Sequence, residues 1–90
     1  MLRNVRFEFV HTAARSVRLV GTFNQWKVEN GEMTRLAGGK WVKDLTLAPG
    51  TYEYRYVVDG NWTRDPNADH WVTNAFGERN SLLSVSARRA

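Results

Sequence analysis

The sequence contains no cysteine and no apolar run that approaches the ~18 residues of a membrane-spanning helix. The first absence excludes disulfide bonds, thiolate zinc sites and a cysteine nucleophile at once. The second, together with the lack of an apolar signal segment after Met1, indicates that the chain does not enter a membrane. A chain without cysteine also suits a reducing compartment, and we therefore expect a soluble, cytoplasmic domain.

Blocks of like charge are also absent, although the chain carries a net charge of +4. Basic residues such as Arg3, Arg6 and Arg18 alternate with apolar ones, and others stand near acids. Arg88 and Arg89 lie at the end of the chain, where they belong either to a frayed tail or to a linker. Because a nucleic-acid site normally needs basic residues clustered on one face, we expect no nucleic-acid partner. Such a partner would show an affinity that collapses with added salt.

Histidine is scarce, and the residues that could support catalysis do not form a site. The chain has two histidines: His11 lies in a predicted turn, and His70 follows Asp69, which alone is a weak signal. Asp65 and Asp69 flank Pro66, which prevents them from sharing a helical face. No phosphate-binding loop, dinucleotide-binding glycine motif, zinc-protease motif or EF-hand is present. The sequence therefore predicts no enzyme, no metal site and no cofactor.

Apolar and polar residues alternate with a period of two through most of the chain, which is typical of β-strands with one buried face. Turn signals separate the strands, and the clearest are Ala48-Pro49-Gly50 and the two-residue hairpin signal Asp59-Gly60. The segment Trp71–Glu78 is predicted to be a loop or a weak strand. The predicted strands cover residues 5–9, 17–20, 33–36, 41–47, 52–58, 61–63 and 81–85.

About seven short strands at this spacing predict an all-β fold, an antiparallel β-sandwich. One domain should cover residues 1–90, with 86–90 as a flexible tail. In the fifth strand, the inward phase holds tyrosines and the outward phase holds Glu53, Arg55 and Val57. The residues expected to be mostly buried between the two sheets are Phe7, Leu19, Leu45, Tyr54, Tyr56 and Leu83, with Trp41 in phase beside them.

Large aromatic residues stand at strand ends and turns, where a core would not use them. Trp26 and Trp62 each follow a strand into a turn, so both are expected to be exposed, whereas Trp71 fits core and surface equally. Sugar rings offer apolar faces edged by hydroxyls, so a sugar site needs flat aromatic rings and planar amide or guanidinium groups. Residues of both kinds occur on adjacent loops: Trp26, Trp62, Trp71, Phe76, Arg55, Asn24, Asn61 and Asn80.

Four segments of the chain together resemble a known family: G-T-F-N-Q-W at 21–26, L-A-P-G-T-Y-E-Y-R-Y-V-V-D-G-N-W at 47–62, D-P at 65–66 and F-G-E-R-N at 76–80. They resemble family 48 carbohydrate-binding modules, above all the glycogen-binding domain of the AMP-activated protein kinase beta subunit. The resemblance covers nearly the whole chain and extends to the N-terminal modules of isoamylases and branching enzymes. It implies an immunoglobulin-like sandwich that binds α-1,4-glucans.

The resemblance also implies roles for individual residues. The two tryptophans of the family's glucan platform correspond to Trp26 and Trp62. A family lysine that bonds sugar hydroxyls corresponds to Arg55, which keeps the charge on a wider, planar head. The apolar residue at the tip of the last loop corresponds to Phe76, and the family asparagine to Asn80.

Glu78 departs from the family pattern, which has threonine at that position. Its carboxylate can accept hydrogen bonds from sugar hydroxyls, which would make it part of the carbohydrate-binding set. It can also pair with Arg55 or Arg79 and occlude the site. The sequence leaves both roles open.

The interpretation that follows is non-catalytic binding of α-1,4-glucans such as glycogen, starch or maltodextrins, with a catalytic or kinase domain as a further partner. The alternative is an immunoglobulin-like docking or spacer domain of a glucan-processing enzyme or kinase-like regulator, without sugar affinity of its own. Whether the chain acts alone or as part of a larger protein stays open.

Overall fold

A computed structural model describes residues 1–87 and confirms the predicted all-β sandwich. Eight strands form two antiparallel sheets, and the helical segments among these residues are three single turns of 3₁₀-helix. No helix in residues 1–87 is long and apolar enough to cross a membrane. The strands are β1 (Arg3–Val10), β2 (Val17–Gly21), β3 (Thr34–Leu36), β4 (Lys40–Leu47), β5 (Gly50–Val58), β6 (Asn61–Thr63), β7 (Trp71–Thr73) and β8 (Arg79–Val85).

The two sheets differ in width. The first has three strands in the order β1-β4-β3, and the second has the order β2-β5-β8-β7, with β6 also paired to β5. Strand β5 therefore pairs with three neighbours, β2, β6 and β8. Since packed sheets bury their facing side chains, the core lies between β1 and β4 on one side and β2, β5 and β8 on the other.

Most of the predicted core is confirmed. Leu45 and Leu83 are only partly buried and pack against the core from its rim. Leu83 lies on β8 beyond residues 79–81, which pair with β7, so it stands near the edge of the wider sheet. Leu45 pairs with Val5 near the end of the β1–β4 ladder, where both side chains remain partly accessible. The predicted core side chains that are at most 5% exposed are Phe7, Leu19, Trp41, Tyr54 and Tyr56.

The signal Asp59-Gly60 forms the predicted two-residue hairpin between β5 and β6. Val58 pairs with Asn61, and the two turn residues have φ of 49° and 84°, the left-handed conformation that such turns require. The Asp59 carboxylate also accepts hydrogen bonds from the backbone N–H groups of Arg15 and Ser16, at 2.9 and 2.8 Å. The same residue therefore ends β5 and holds the loop that precedes β2.

Long-range pairing decides two features near the ends of the sheets. The segment Trp71–Thr73, predicted as a loop or a weak strand, is strand β7 and pairs with residues 79–81 of β8. The Arg3 side chain donates to the carbonyl oxygens of Ser86 and Ala87, at 3.2 and 3.1 Å, which connects the first strand to the end of the last. Residues 88–90 of the predicted tail lie outside the described residues.

A partly buried hydrogen bond fixes the chain after β6. The hydroxyl of Tyr54 donates to one carboxylate oxygen of Asp65 at 2.6 Å, and the other oxygen accepts from the backbone N–H of Asn67 at 2.9 Å. The N–H of Asp65 donates to Ser81 Oγ at 3.2 Å. Burial, and then the contact with Asp65, raise the pKa of Tyr54, so its phenol stays protonated as a donor. Asp65, the first residue of the D-P pair at 65–66, therefore stabilises the fold.

Removing this phenolic donor should destabilise the domain more than removing its neighbour. Tyr54→Phe leaves the Asp65 carboxylate without the donor, and we expect the free energy of unfolding to fall by about 1.5–3 kcal/mol. Tyr56→Phe is the matched control, because the Tyr56 hydroxyl makes only a 3.4 Å contact with the carbonyl of Glu8. Urea denaturation of both variants measures the difference, and equal losses would contradict the assignment.

The same two phenols predict how stability changes at high pH. Burial is the main cause that raises the pKa of Tyr54 and Tyr56 above the ordinary value of 10.0. The unfolded chain therefore loses these protons first, so the stability is fully present below pH ~10 and falls as the pH rises above it. We expect a loss of about 1.4 kcal/mol per pH unit for each tyrosine. Urea denaturation at a series of alkaline pH values measures this slope of stability against pH. If Tyr54→Phe had the same slope as the wild-type protein, the prediction would be wrong.

Candidate ligand-binding cleft

A cleft of about 600 Å³ lies on the outer face of the five-stranded sheet. Its position follows from the alternation along β5, where Tyr54 faces the core and Arg55 therefore faces outward. Tyr54 pairs with Ser81, so Asn80, the residue before Ser81, lies beside Arg55 on the same outer face. The six residues assigned to the carbohydrate site on the resemblance to the family all line this cleft: Trp26, Arg55, Trp62, Phe76, Glu78 and Asn80.

The loop after β2 brings Trp26 to the cleft through a strained backbone. After a single 3₁₀ turn, Gln25 and Trp26 have φ of 56° and 58°, and this left-handed conformation costs a residue other than glycine roughly 1–2 kcal/mol. The Asn24 side chain holds the turn by accepting from the Gly21 N–H and donating to the Leu19 carbonyl, both at 3.1 Å. Asn24 thus supports the loop, and the strained pair directs Trp26 to the cleft.

The two tryptophans of the cleft contact each other at an angle. Their ring centroids are 6.4 Å apart, and their planes are inclined by 39°. Trp62 comes from β6, where it pairs with Val57, and is 44% exposed. Trp26 is only partly exposed, which corrects the expectation that it lies open to solvent, because the ring of Trp62 covers part of its surface.

Arg55 lies mostly buried against the ring of Trp62. Its guanidinium carbon is 5.6 Å from the ring centroid of Trp62, within the range of a cation–π contact. The Nε atom is buried and has no hydrogen-bond partner within residues 1–87. The Nη1 atom donates to Glu78 Oε1 at 3.2 Å, and the Arg55 side chain is 11% exposed. Since a buried cation is costly without a counter-charge, Glu78 is what makes the burial of Arg55 tolerable.

Asn80 also contacts a carboxylate. It is 6% exposed, and its Nδ2 atom donates to Glu53 Oε1 at 3.1 Å. Glu53 lines the cleft but was missed by the sequence analysis as a site residue. Its position two residues before Arg55, in the same phase of β5, was the available signal. The cleft therefore combines two groups of donors, on Arg55 and Asn80, with two carboxylate acceptors.

The loop between β7 and β8 holds Phe76 at its tip. The Oδ1 atom of Asn74 accepts from the N–H groups of Phe76 and Glu78, at 2.9 and 3.0 Å, and Gly77 closes the turn with a φ of 80°. Phe76 remains 88% exposed as a result, so the cleft has an aromatic rim that nothing in the described chain covers. The sequence analysis also missed Asn74, whose signal is an asparagine at the start of a turn.

Trp71 lies outside the cleft, although the sequence analysis placed it among the candidate sugar-binding aromatics. It pairs with Ser81, whose other partner, Tyr54, faces the core. Trp71 is therefore on the opposite face of the sheet from Asn80. The guanidinium carbon of Arg79 lies 4.9 Å from its ring centroid. Residues 1–87 contain no group of three or more His, Cys, Asp or Glu side chains that could hold a metal ion.

Comparison with protein families matches residues 3–90 to the family described as the glycogen recognition site of AMP-activated protein kinase. The match extends from the first residue of β1 to the end of the chain. It includes every residue that lines the cleft.

Similar proteins come from plants and animals. Protein PTST homolog 2, chloroplastic, of Arabidopsis thaliana is 34% identical over 74 residues, which are 82% of this chain and 13% of that protein. Protein FLOURY ENDOSPERM 6, chloroplastic, of Oryza sativa subsp. japonica is 37% identical over 73 residues, 81% of this chain and 13% of that protein. The 5'-AMP-activated protein kinase subunit beta-1 of Sus scrofa is 35% identical over 71 residues, 79% of this chain and 55% of that sequence. The chain thus spans only part of each relative.

Proposed function

Since the chain belongs to the family of the glycogen recognition site of AMP-activated protein kinase, we propose that it binds α-1,4-glucans such as glycogen, starch or maltodextrins and catalyses no reaction on them. One observation supports the proposal most directly. Six residues that come from two separate loops and three strands all line one cleft, and they supply the two kinds of group that a sugar site needs.

The two tryptophans provide the surface for the glucose rings. Indole rings stack on the apolar C–H faces of sugars, and Trp26 and Trp62 offer two such surfaces 6.4 Å apart between centroids. A flat cellulose chain suits coplanar platforms, whereas successive glucose rings in a helical α-1,4-glucan turn relative to each other. The 39° between the two indole planes suits the turned arrangement, and the proposed ligand is therefore an α-glucan.

The polar groups of the cleft bind the hydroxyls at the ring edges. Arg55 and Asn80 donate hydrogen bonds, and Glu53 and Glu78 accept them from hydroxyl groups. Phe76, which is 88% exposed, presses against the outer side of the glucan. Covering an aromatic side chain of this size is worth about 1.5–3 kcal/mol, so the rim contributes affinity as well as shape.

The cleft is built for binding without catalysis. Glycoside hydrolysis needs two carboxyl groups on either side of the scissile bond, one of them kept protonated as the acid. Glu78 pairs with a guanidinium, and Glu53 accepts from an amide, so both carboxylates already hold other cleft residues in place. The cleft also stays open to water at Trp62 and Phe76, which does not favour chemistry that requires water to be excluded.

A docking or spacer role is the alternative, because the chain matches only 13% to 55% of the length of the relatives described above. A domain within a larger protein can serve by contacting its neighbours. This alternative assigns no ligand to the cleft, so it predicts that the protein ignores polysaccharides. A catalytic or kinase domain is then the partner that the domain would contact.

Native affinity electrophoresis separates the two functions. We expect the wild-type protein to be retarded by embedded glycogen and soluble starch but not by a soluble cellulose derivative. Trp26→Ala and Trp62→Ala should each weaken glycogen binding by ~2 kcal/mol or more, the usual scale for a central aromatic anchor. The matched control is Trp71→Ala, which removes an exposed tryptophan that does not line the cleft and should leave the retardation unchanged.

Thermal denaturation of each variant establishes that it is folded. If all four proteins are folded and run at the same mobility with and without glycogen, the binding proposal is wrong and the spacer function stands. Retardation that Trp71→Ala abolishes and the cleft variants retain would locate the site elsewhere.

A further inference from the structure

The charge of the cleft is opposite to that of the whole chain. The chain carries a net charge of +4, yet within residues 1–87 the ionisable side chains that line the cleft are two carboxylates, Glu53 and Glu78, and one guanidinium, Arg55. The cleft therefore carries one net negative charge in an otherwise basic protein. A ligand that enters the cleft lies close to this local negative charge. The local charge then acts on the ligand more strongly than the distant charges of the protein, which are screened by salt.

Arg55 would ordinarily favour an anionic ligand, because a guanidinium binds phosphate and carboxylate groups well. Here its Nη1 atom already donates to Glu78 at 3.2 Å, and its guanidinium carbon lies 5.6 Å from the ring centroid of Trp62. The side chain is only 11% exposed. Arg55, the cation that the described part of the chain contributes to the cleft, is therefore neutralised and largely covered before any ligand arrives.

The second donor of the cleft is engaged in the same way. The Asn80 amide donates to Glu53 at 3.1 Å, so each donor that faces the ligand stands next to a carboxylate. A sugar hydroxyl fits such a pair, because it can donate to the carboxylate and accept from the amide or guanidinium. A phosphate monoester carries about −1.5 to −2 charges at neutral pH and offers acceptor oxygens to carboxylates that can only accept.

We infer that Glu78, together with Glu53, makes this cleft prefer neutral α-glucan segments over segments whose glucose units carry phosphate. The inference rests on the proposed function and adds the substrate class to it. It also assigns a role to Glu78, the residue that departs from the family pattern. Glu78 holds Arg55 in place for hydroxyl recognition and at the same time denies that guanidinium to anions.

The test compares maltotriose with maltotriose that carries a phosphate monoester on C6 of its middle glucose. The middle ring is chosen because the two tryptophans engage adjacent rings, and every adjacent pair in a trisaccharide includes the middle one. Isothermal titration calorimetry gives both affinities. We expect the wild-type protein to bind the phosphorylated sugar about five- to tenfold more weakly than maltotriose. In Glu78→Gln this ratio of affinities should fall by about threefold or more.

Two further variants control for other effects of charge. Asp44→Asn removes one negative charge from β4 in the other sheet, where Asp44 is exposed, and should leave the ratio of the two affinities unchanged. Glu53→Gln removes the other cleft carboxylate and should also reduce the ratio of the two affinities. It takes the place of Glu78→Gln if that variant is too unstable to titrate.

The outcomes are distinct. If the wild-type protein binds both sugars equally, or the phosphorylated one more tightly, the inference is wrong while the proposed function survives. If neither cleft variant changes the ratio, or Asp44→Asn changes it as much as they do, the assignment to the cleft carboxylates is wrong. If neutral maltotriose and longer maltodextrins do not bind to the folded protein at all, the proposed function fails and the inference fails with it.

Discussion

The alternation of side chains along β5 is the constraint on which both the core and the cleft depend. This strand pairs with β2, β6 and β8, so its two faces are fixed by ladders on both sides. Its inward phase places Tyr54 and Tyr56 in the core, and its outward phase places Glu53 and Arg55 in the cleft. A slip of one residue in register would exchange the two sets and destroy both at once.

Each neighbour of β5 brings one aromatic residue to the cleft. The loop after β2 carries Trp26, the hairpin strand β6 carries Trp62, and the turn before β8 carries Phe76. The loop after β2 can leave the sheet at this point because Gly21 has no side chain. A Cβ atom at Gly21 would lie 2.4 Å from the carbonyl oxygen of Glu53 on β5, closer than packing allows. The close approach of β5 therefore requires glycine at the start of the G-T-F-N-Q-W segment.

Local patterns were enough to predict what depends on neighbours in sequence. The alternation of β5 and the Asp59-Gly60 hairpin follow from residues a few positions apart, and the structure confirms both, since the core holds Tyr54, Tyr56 and Val58 of β5 and the hairpin pairs Val58 with Asn61. Five of the six cleft residues were already in the set of candidate aromatic and polar residues, and the resemblance to a family assigned their roles and added Glu78. That set included Trp71, which the structure finds on the opposite face of the sheet.

What the sequence analysis left open or missed depends on contacts between distant segments. Arg55 and Glu78 lie 23 positions apart, and Asn80 and Glu53 lie 27 apart, so no short window could reveal that each donor faces a carboxylate. The partial exposure of Trp26 likewise follows from its contact with Trp62 on another hairpin. Strand β7 is three residues long and is defined by its pairing with residues 79–81 of β8, which its own sequence does not reveal.

The most direct test of the account is whether a glucan touches the two tryptophans of the cleft and leaves the other two alone. The chain has four tryptophans, each with one indole N–H signal in a ¹H–¹⁵N correlation spectrum, and single Trp→Phe variants assign them. Titration with maltoheptaose should move the signals of Trp26 and Trp62, while those of the core residue Trp41 and of Trp71 stay in place. No movement at a saturating concentration, or movement of the Trp71 signal alone, would contradict the assignment of this cleft as the glucan site.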